Sequence, residues 1–336
     1  MANLSFAIDI GGTNTKIFQK GVGLILNEPS LVAVFGKNGI FQIKAIGENA
    51  KNMIGKTDEN TNVFSPIIGS DLKSVHYASE MLRYFLDKVI PKKLFRKKIE
   101  AIICLPCGLS EEEKLDFANV CYKAKIKNVK IVPSIIASAL GAGKFIHTPT
   151  TYFVVDIGGN STDIATINLS AIVKGCTVGI GGKNMDAEIA GLVAREYGTQ
   201  ISLQTAEKLK EEIGSLFEKD VQNMEVIGVC VDSHKPKEII VSSDVVKEAI
   251  MPLFEKIAYA IESTINMCTP DISMDIQRNG IFFTGGVSSI GGLENFMRKR
   301  LNLIVHVFDD AYINVILGGG KLLSDDAQLR NILQEF

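Results

Sequence analysis

One strand–turn–strand unit occurs twice in this chain, and that repeat limits the possible folds more than any other feature. Residues 6 to 18 read FAIDIGGTNTKIF, and residues 154 to 167 read VVDIGGNSTDIATI. Each copy runs from an apolar strand into a carboxylate (Asp9, Asp156), through a Gly-Gly turn, and out along a second strand. A chain built this way folds as two related cores, each presenting a glycine turn at a strand end. Such a turn can receive a phosphate chain. Backbone N–H groups face the anion, Lys16 adds a cation, and the strand-end carboxylate can hold Mg²⁺ through water. Two such turns facing across a cleft would clamp one phosphate chain from both sides. Two unrelated glycine hairpins are the competing reading, but a hairpin has no need of an Asp before each turn.

A third glycine element, GIFFTGG at 280–286, runs from a strand into a turn ahead of a helix over 293–301. Ligands of open α/β sheets sit beyond the carboxyl ends of strands, so three strand ends point at one nucleotide. Between them, 205–217 (TAEKLKEEIGSLF) has the spacing of an amphipathic helix, with Glu207 and Lys210 on one face. The apolar segments 6–8, 17–19, 24–26, 31–34 and 39–45 are split by short turns and predict one antiparallel meander. Helical spacing over 81–89, a buried strand over 101–105 and a strand over 129–132 follow. Ser110 before three glutamates is an N-cap opening a helix to Cys121, and small residues predict another helix over 134–145.

The 336 residues suit two domains, and 46% hydrophobic with 22% charged residues is ordinary globular composition. A net charge of −2 argues against a general nucleic-acid binder. The start MANLSF carries no basic region ahead of a cleavable apolar stretch, and no apolar run reaches the ~20 residues of a membrane span. The expected location is the cytoplasm. Cys104 and Cys107 form a C-x-x-C pair, but no second pair or suitably spaced histidine completes a zinc site, so free thiols are expected.

These elements resemble the superfamily of actins, Hsp70 chaperones and sugar kinases. Within it the chain resembles MreB, the bacterial actin family, over essentially its whole length. The stretches that carry the resemblance include ILNEPSLVAV, IGENAKNMIGKT, VVDIGGNSTDIATI, VGIGGKNMD, TAEKLKEEIGS, GIFFTGGVSSIGGLENF and LGGGKLL. The resemblance implies an α/β actin-like ATPase fold: two domains with related cores around a nucleotide cleft. Domain I would span 1–140, with a small subdomain at about 33–64. Domain II would span 141–317, with a small subdomain at about 180–240, and 318–336 would return to domain I. It also implies ATP/ADP and Mg²⁺ as ligands and self-assembly into filaments, with paralogous actins as further partners.

Carried over residue by residue, Gly11, Gly12, Thr13, Asn14, Thr15 and Lys16 match the first phosphate turn. Gly158, Gly159, Asn160 and Ser161 match the second. Glu207 and Lys210 match the ribose- and base-contacting helix, Thr284, Gly285 and Gly286 the adenosine turn, and Asp9 and Asp156 the Mg²⁺–water ligands.

Three departures stand out. Ser134 falls where the family carries a water-orienting glutamate, and a serine is too short and too weak a base for that task. Ser161 replaces a family threonine and keeps its hydroxyl, which leaves a second way to orient water. Lys174 stands where the family has a small polar residue. It would compete with Mg²⁺–water coordination if it reached Asp156, and is a solvated edge-strand lysine otherwise. The third departure is PKKLFRKK at 91–98, which sets Leu94 and Phe95 among five cations where MreB carries its membrane-inserting loop. Contact with an anionic membrane, peripheral on the inner face of the cell membrane, and a solvated basic turn are the two readings.

The functional expectation is an ATP-binding, filament-forming actin that sets cell shape, or helicity and motility in a wall-less cell, with weak ATP hydrolysis. A nucleotide-binding scaffold without turnover and a small-molecule kinase of the same superfamily are the alternatives. The sugar-kinase reading is weakened by the lack of a cysteine-rich zinc motif.

Overall fold

The computed structural model describes residues 4–37, 39–69, 71–91, 98–217, 221–324 and 331–336. The chain divides into two units, Met1–Pro149 with Leu169–Ala171 and Ile313–Phe336, and Thr150–Asn168 with Ile172–Tyr312. Each has its own buried apolar cluster.

In the first unit β1 (Leu4–Ile10), β2 (Asn14–Gln19) and β3 (Gly23–Pro29) form an antiparallel meander. β4 (Val32–Lys37) and β5 (Ile40–Ile46) do not continue it. After the short helix α1 (Glu48–Lys51), β6 (Thr61–Phe64) joins them in a separate sheet ordered β5-β4-β6. The five-segment meander expected from the sequence is therefore split, and the cause is local. Pro29 ends β3, the Ser30 N–H turns back to Thr13 O (2.8 Å), and the Leu31 N–H bonds Pro29 O (2.9 Å). No N–H remains aligned to extend the ladder.

A ribbon of β7 (Ile67–Ile68) and β8 (Asp71–Leu72) precedes α2 (Val75–Val89), β9 (Ile99–Leu105), α3 (Glu111–Lys123), β10 (Asn128–Pro133) and α4 (Ser134–Gly141). Ser110 caps α3 with a reciprocal capping box to Glu113. Helix α4 stops four residues short of the expected end. Gly143 takes φ +77°, and the Lys144 and Gly143 N–H groups bond Ala139 O and Leu140 O, the paired closure of a Schellman turn.

The second unit opens with β11 (Tyr152–Ile157), β12 (Thr162–Asn168) and β13 (Ala171–Val178). It continues through α5 (Gly182–Tyr197), β14 (Thr199–Gln200), α6 (Leu203–Ile213), β15 (Asn223–Cys230), β16 (Pro236–Ser242) and the long helix α7 (Ser243–Asn266). It closes with α8 (Pro270–Asn279), β17 (Ile281–Thr284), α9 (Leu293–Leu301) and β18 (Val305–Val307). Helix α6 ends at Ile213 rather than 217, because Ser215 bridges to Gly291 and the Leu216 N–H bonds Gly291 O (2.7 Å).

The chain then re-enters the first unit as α10 (Asn314–Leu322) and β19 (Gln334–Glu335). The return begins at Ile313, ahead of the expected 318, because α10 packs on α4 and on strands β1, β2 and β9 of the first unit. The Lys321 ammonium donates to Leu140 O (2.6 Å) at the end of α4.

The sequence repeat is matched by a topological one. The first large sheet is ordered β19-β10-β9-β1-β2-β3 and the second β13-β12-β11-β17-β18. In each, an antiparallel meander (β1–β3, β11–β13) is extended from its first strand by parallel strands, β9 and β10 in one and β17 and β18 in the other. Among the described residues, no helix is long and apolar enough to cross a membrane.

Candidate functional site

Both glycine turns close in the same way. The Gly11 N–H donates to Asn14 O (3.1 Å), and the Gly158 N–H donates to Ser161 O (2.9 Å). The strand-end carboxylates Asp9 and Asp156 occupy equivalent places two residues before these hydrogen bonds. The third residue of each turn carries a buried side-chain oxygen with no partner, Thr13 Oγ1 in one and Asn160 Oδ1 in the other. Leaving a buried polar atom unpaired costs about 1–3 kcal/mol, and these two orphans stand at repeat-related positions, with Asn314 Nδ2 a third among the described residues. A phosphate oxygen suits a threonine hydroxyl and an asparagine amide, whose N and O positions are interchangeable by a flip.

In the first unit, Asp9 and Lys16 are cross-strand partners joined by an ion pair of 3.1 Å, with both side chains mostly buried. The side chains of Asn14 and Thr15 are engaged within the protein. Asn14 Nδ2 donates to Asn27 Oδ1 (2.8 Å), and the buried Thr15 hydroxyl meets that of Ser30 (2.8 Å). Ser30 in turn donates to Gly11 O (2.6 Å), so it braces the turn from behind.

Asp9, Cys104 and Val132 lie in one row across β1, β9 and β10. Ser134, two residues past Val132 at the head of α4, therefore sits at the same end of the sheet as the turn. It is buried. All six cysteines are free thiols, and burial together with the Asp9 charge pushes the Cys104 thiol well above its usual range, which removes it as a reactive thiolate.

In the second unit the elements converge. Asp156 pairs in register with Asp163 on β12 and with Thr284 on β17. A Cβ on Gly285 would stand 2.4 Å from Asp156 Oδ1, so the third glycine turn presses directly on the second. Gly286 begins a short 3-10 turn to Ser289. The Gly182 and Lys183 N–H groups at the head of α5 bond Gly158 O (3.0 Å) and Gly159 O (2.8 Å).

Glu207 and Lys210 reach the same place from α6. Lys210 Nζ donates to Gly182 O (3.2 Å) and to Asp186 Oδ1 (2.6 Å), a buried pair. Burial pushes the Asp186 carboxyl up to about 6 against the pull of Lys210, and Glu207 adds to that rise. Burial lowers Lys183 while Glu207 and Asp186 raise it. Asp186 and Lys183 thus belong to the site. They lie in the GGKNMD stretch, and the missing signal was their contact with α6.

Lys174 lies on edge strand β13, where its backbone N–H donates to Thr166 Oγ1 (3.0 Å) of β12, its side chain is exposed, and its charge acts on Cys268. It lies about 10 Å along the strands and about 10 Å across them from Asp156, because Thr166 is three residues from Asp163 and β12 intervenes. It makes no ion pair with Asp156. Leu94 and Phe95 lie outside the described residues.

The sequence profile of the family described as MreB/Mbl protein matches residues 3–331. The chain belongs to the MreB/Mbl family. Among relatives of this MreB/Mbl chain, the cell shape-determining protein MreB of Escherichia coli strain K12 is 31% identical over 326 residues, 96% of this chain and 94% of that one. The cell shape-determining protein Mbl of Bacillus subtilis strain 168 is 32% identical over 320 residues, 95% of each. Structures of MreB5 of Spiroplasma citri match at TM-scores of 0.89 bound to AMPPNP and 0.91 bound to ADP, at 28% and 27% identity. They cover 95% of both chains and 98% of both chains respectively. The actin-like fold implied by the resemblance holds for this MreB/Mbl chain.

Proposed function

We propose that this chain binds ATP through its two glycine turns, polymerises into filaments on the inner face of the cell membrane, hydrolyses ATP slowly and sets cell shape. The observation that carries the reading is the matched pair of turns, each with the same closing hydrogen bond, the same strand-end carboxylate and a buried orphan oxygen. AMPPNP and ADP in MreB5, and the cell-shape role in the names of MreB and Mbl, support it.

Mg²⁺ takes one or two carboxylates plus water and substrate phosphates rather than an all-protein cage, and the strand-end carboxylates Asp9 and Asp156, each two residues before a glycine turn, suit that role. When bound, Mg²⁺ supplies neutralisation of phosphate charge. The chain's own residues then present the turn amides, Lys16 and the Thr13 and Asn160 side chains to the phosphates.

Electron microscopy of the purified protein tests the reading as a whole. Filaments are expected with ATP and with AMPPNP, since nucleotide occupancy rather than hydrolysis stabilises the assembling conformation. A protein that stays monomeric at high concentration with every nucleotide contradicts the cytoskeletal part.

Hydrolysis is slow because Ser134 cannot reach and polarise a water as a glutamate can. Ser134→Glu is expected to raise steady-state phosphate release under polymerising conditions, up to the ~10²-fold that a positioned base brings, with no change needed at Lys174. Fast release by the wild type, unresponsive to Ser134→Glu, would overturn that account.

Membrane contact rests on Leu94 and Phe95 among Lys92, Lys93, Arg96, Lys97 and Lys98. Changing both apolar residues to serine is expected to reduce co-sedimentation with anionic liposomes while ATP binding is kept. Raising salt mimics part of the loss by screening the cations. A double variant that pellets as well as the wild type makes this segment a solvated turn.

A further inference from the structure

The two repeats align position by position, and one of their differences reverses the charge beside the strand-end carboxylate. In the first unit the cross-strand partner of the strand-end carboxylate Asp9 is a cation, Lys16, at 3.1 Å. In the second unit the cross-strand partner of Asp156 is another carboxylate, Asp163. Directly paired residues of an antiparallel ladder project from the same face, so Asp163 stands beside Asp156 under the second turn.

Asp163 is buried, with 7% of its surface exposed. Its ties do not neutralise it. The Thr177 hydroxyl donates to Oδ1 (2.5 Å), a neutral partner that leaves the carboxylate's charge in place. A buried carboxylate next to another carboxylate is costly unless it is used, and the cost can be offset by hydrogen bonds from substrate or water. The first turn is furnished to hold negative charge. The second is furnished with a pair of acceptors.

We propose that Asp163 is a catalytic carboxylate of this chain, and that it carries the slow hydrolysis remaining with Ser134 in the glutamate's place by orienting the water that attacks the terminal phosphate. This rests on the nucleotide reading above. With Oδ1 held by Thr177, Oδ2 accepts the proton-bearing side of the water. The water oxygen bonds to the γ-phosphorus as the bond to the β–γ bridging oxygen breaks, and its electron pair leaves with ADP. The water proton passes by way of Asp163 to the released phosphate. Phosphoryl transfer asks little of a base beyond such positioning, and a single carboxylate meets that demand. Thr177 is a positioning residue, since it acts only through Asp163.

The test compares the full-length wild type with Asp163→Asn, measuring AMPPNP affinity and single-turnover phosphate release from Mg·ATP. The proposal expects release to fall about 10²-fold or more, while AMPPNP binds as tightly or more tightly because a negative charge beside the phosphates is gone. A purely structural role predicts that affinity and release fall together, and that outcome overturns the proposal. So does release within about twofold of the wild type, and so does a wild type that binds AMPPNP but releases no phosphate. A wild type that binds no AMPPNP overturns the nucleotide reading itself. Should Asp163→Asn fail to fold, Asp163→Glu against Asp163→Gln gives the same contrast: release is expected to survive in the former alone, and equal rates in the two overturn the assignment.

Discussion

Gly181→Ala abolishes tight Mg·ATP binding while leaving the protein folded. Gly181 precedes α5, and its Cα faces the second glycine turn so closely that an added Cβ would lie 2.7 Å from Gly158 O and Gly159 C and 2.8 Å from Asn160 N. All three atoms are backbone, so no rotamer change can relieve the clash. The turn itself must shift, and with it the amides that face an anion and the Asn160 side chain. Positioning errors of about 1 Å at such a site cost ~10²-fold. The change leaves the apolar cluster of the second unit untouched, so thermal unfolding without nucleotide should move little. Wild-type affinity for Mg·ATP in Gly181→Ala would show that the second turn does not hold the phosphates.

Gly318→Ala has a larger effect on stability. Helices α4 and α10 cross in the first unit with backbone against backbone. A Cβ on Gly318 would stand 1.7 Å from Ala137 O, and one on Gly141 would stand 1.9 Å from Asn314 O. Two glycines on facing helices permit this approach, and either alanine forces the helices apart. Separation would also draw the Lys321 ammonium from Leu140 O. Overpacking with flexible neighbours costs about 1–3 kcal/mol, and here the obstacle is main chain, so the upper end or more is expected. At roughly 2–4 °C per kcal/mol for a unit of this size, Tm falls by about 10 °C. A fall of less than about 3 °C would mean that the two helices are not packed as described. Because α4 begins at Ser134, the same variant should also weaken nucleotide-stimulated assembly.

Much of this molecule was legible as local pattern. The two turns, the third glycine element, the Ser110 cap and helix 293–301 are all marked by short-range chemistry, and the structure places each where its residues indicate. The turn residues lie at the carboxyl end of β1 in the first unit and of β11 and β17 in the second. What escaped was set by distant partners. The expected meander ran through Pro29 and Ser30 because the tie from Ser30 to Thr13 joins residues far apart in sequence. The fate of Lys174 depends on how β13 pairs with β12. The link between them takes positive φ at Leu169 and Ser170, residues that give no turn signal of the Asn-Gly kind. Asp186 could not be found from α5 alone, since only the approach of Lys210 from α6 makes it part of the site. Asp163 was visible as a letter in the repeat, yet its place beside Asp156 is a fact of register.

The central proposal is nucleotide binding at the glycine turns. It is tested most directly by calorimetric titration of Mg·AMPPNP into the wild type, Gly12→Val and Asp156→Ala. The expected result is one nucleotide per chain for the wild type and no tight binding for either variant. Gly12→Val blocks backbone approach at the first turn, and Asp156→Ala removes the metal–water ligand at the second. Two nucleotides per chain, or wild-type affinity in either variant, would contradict the account.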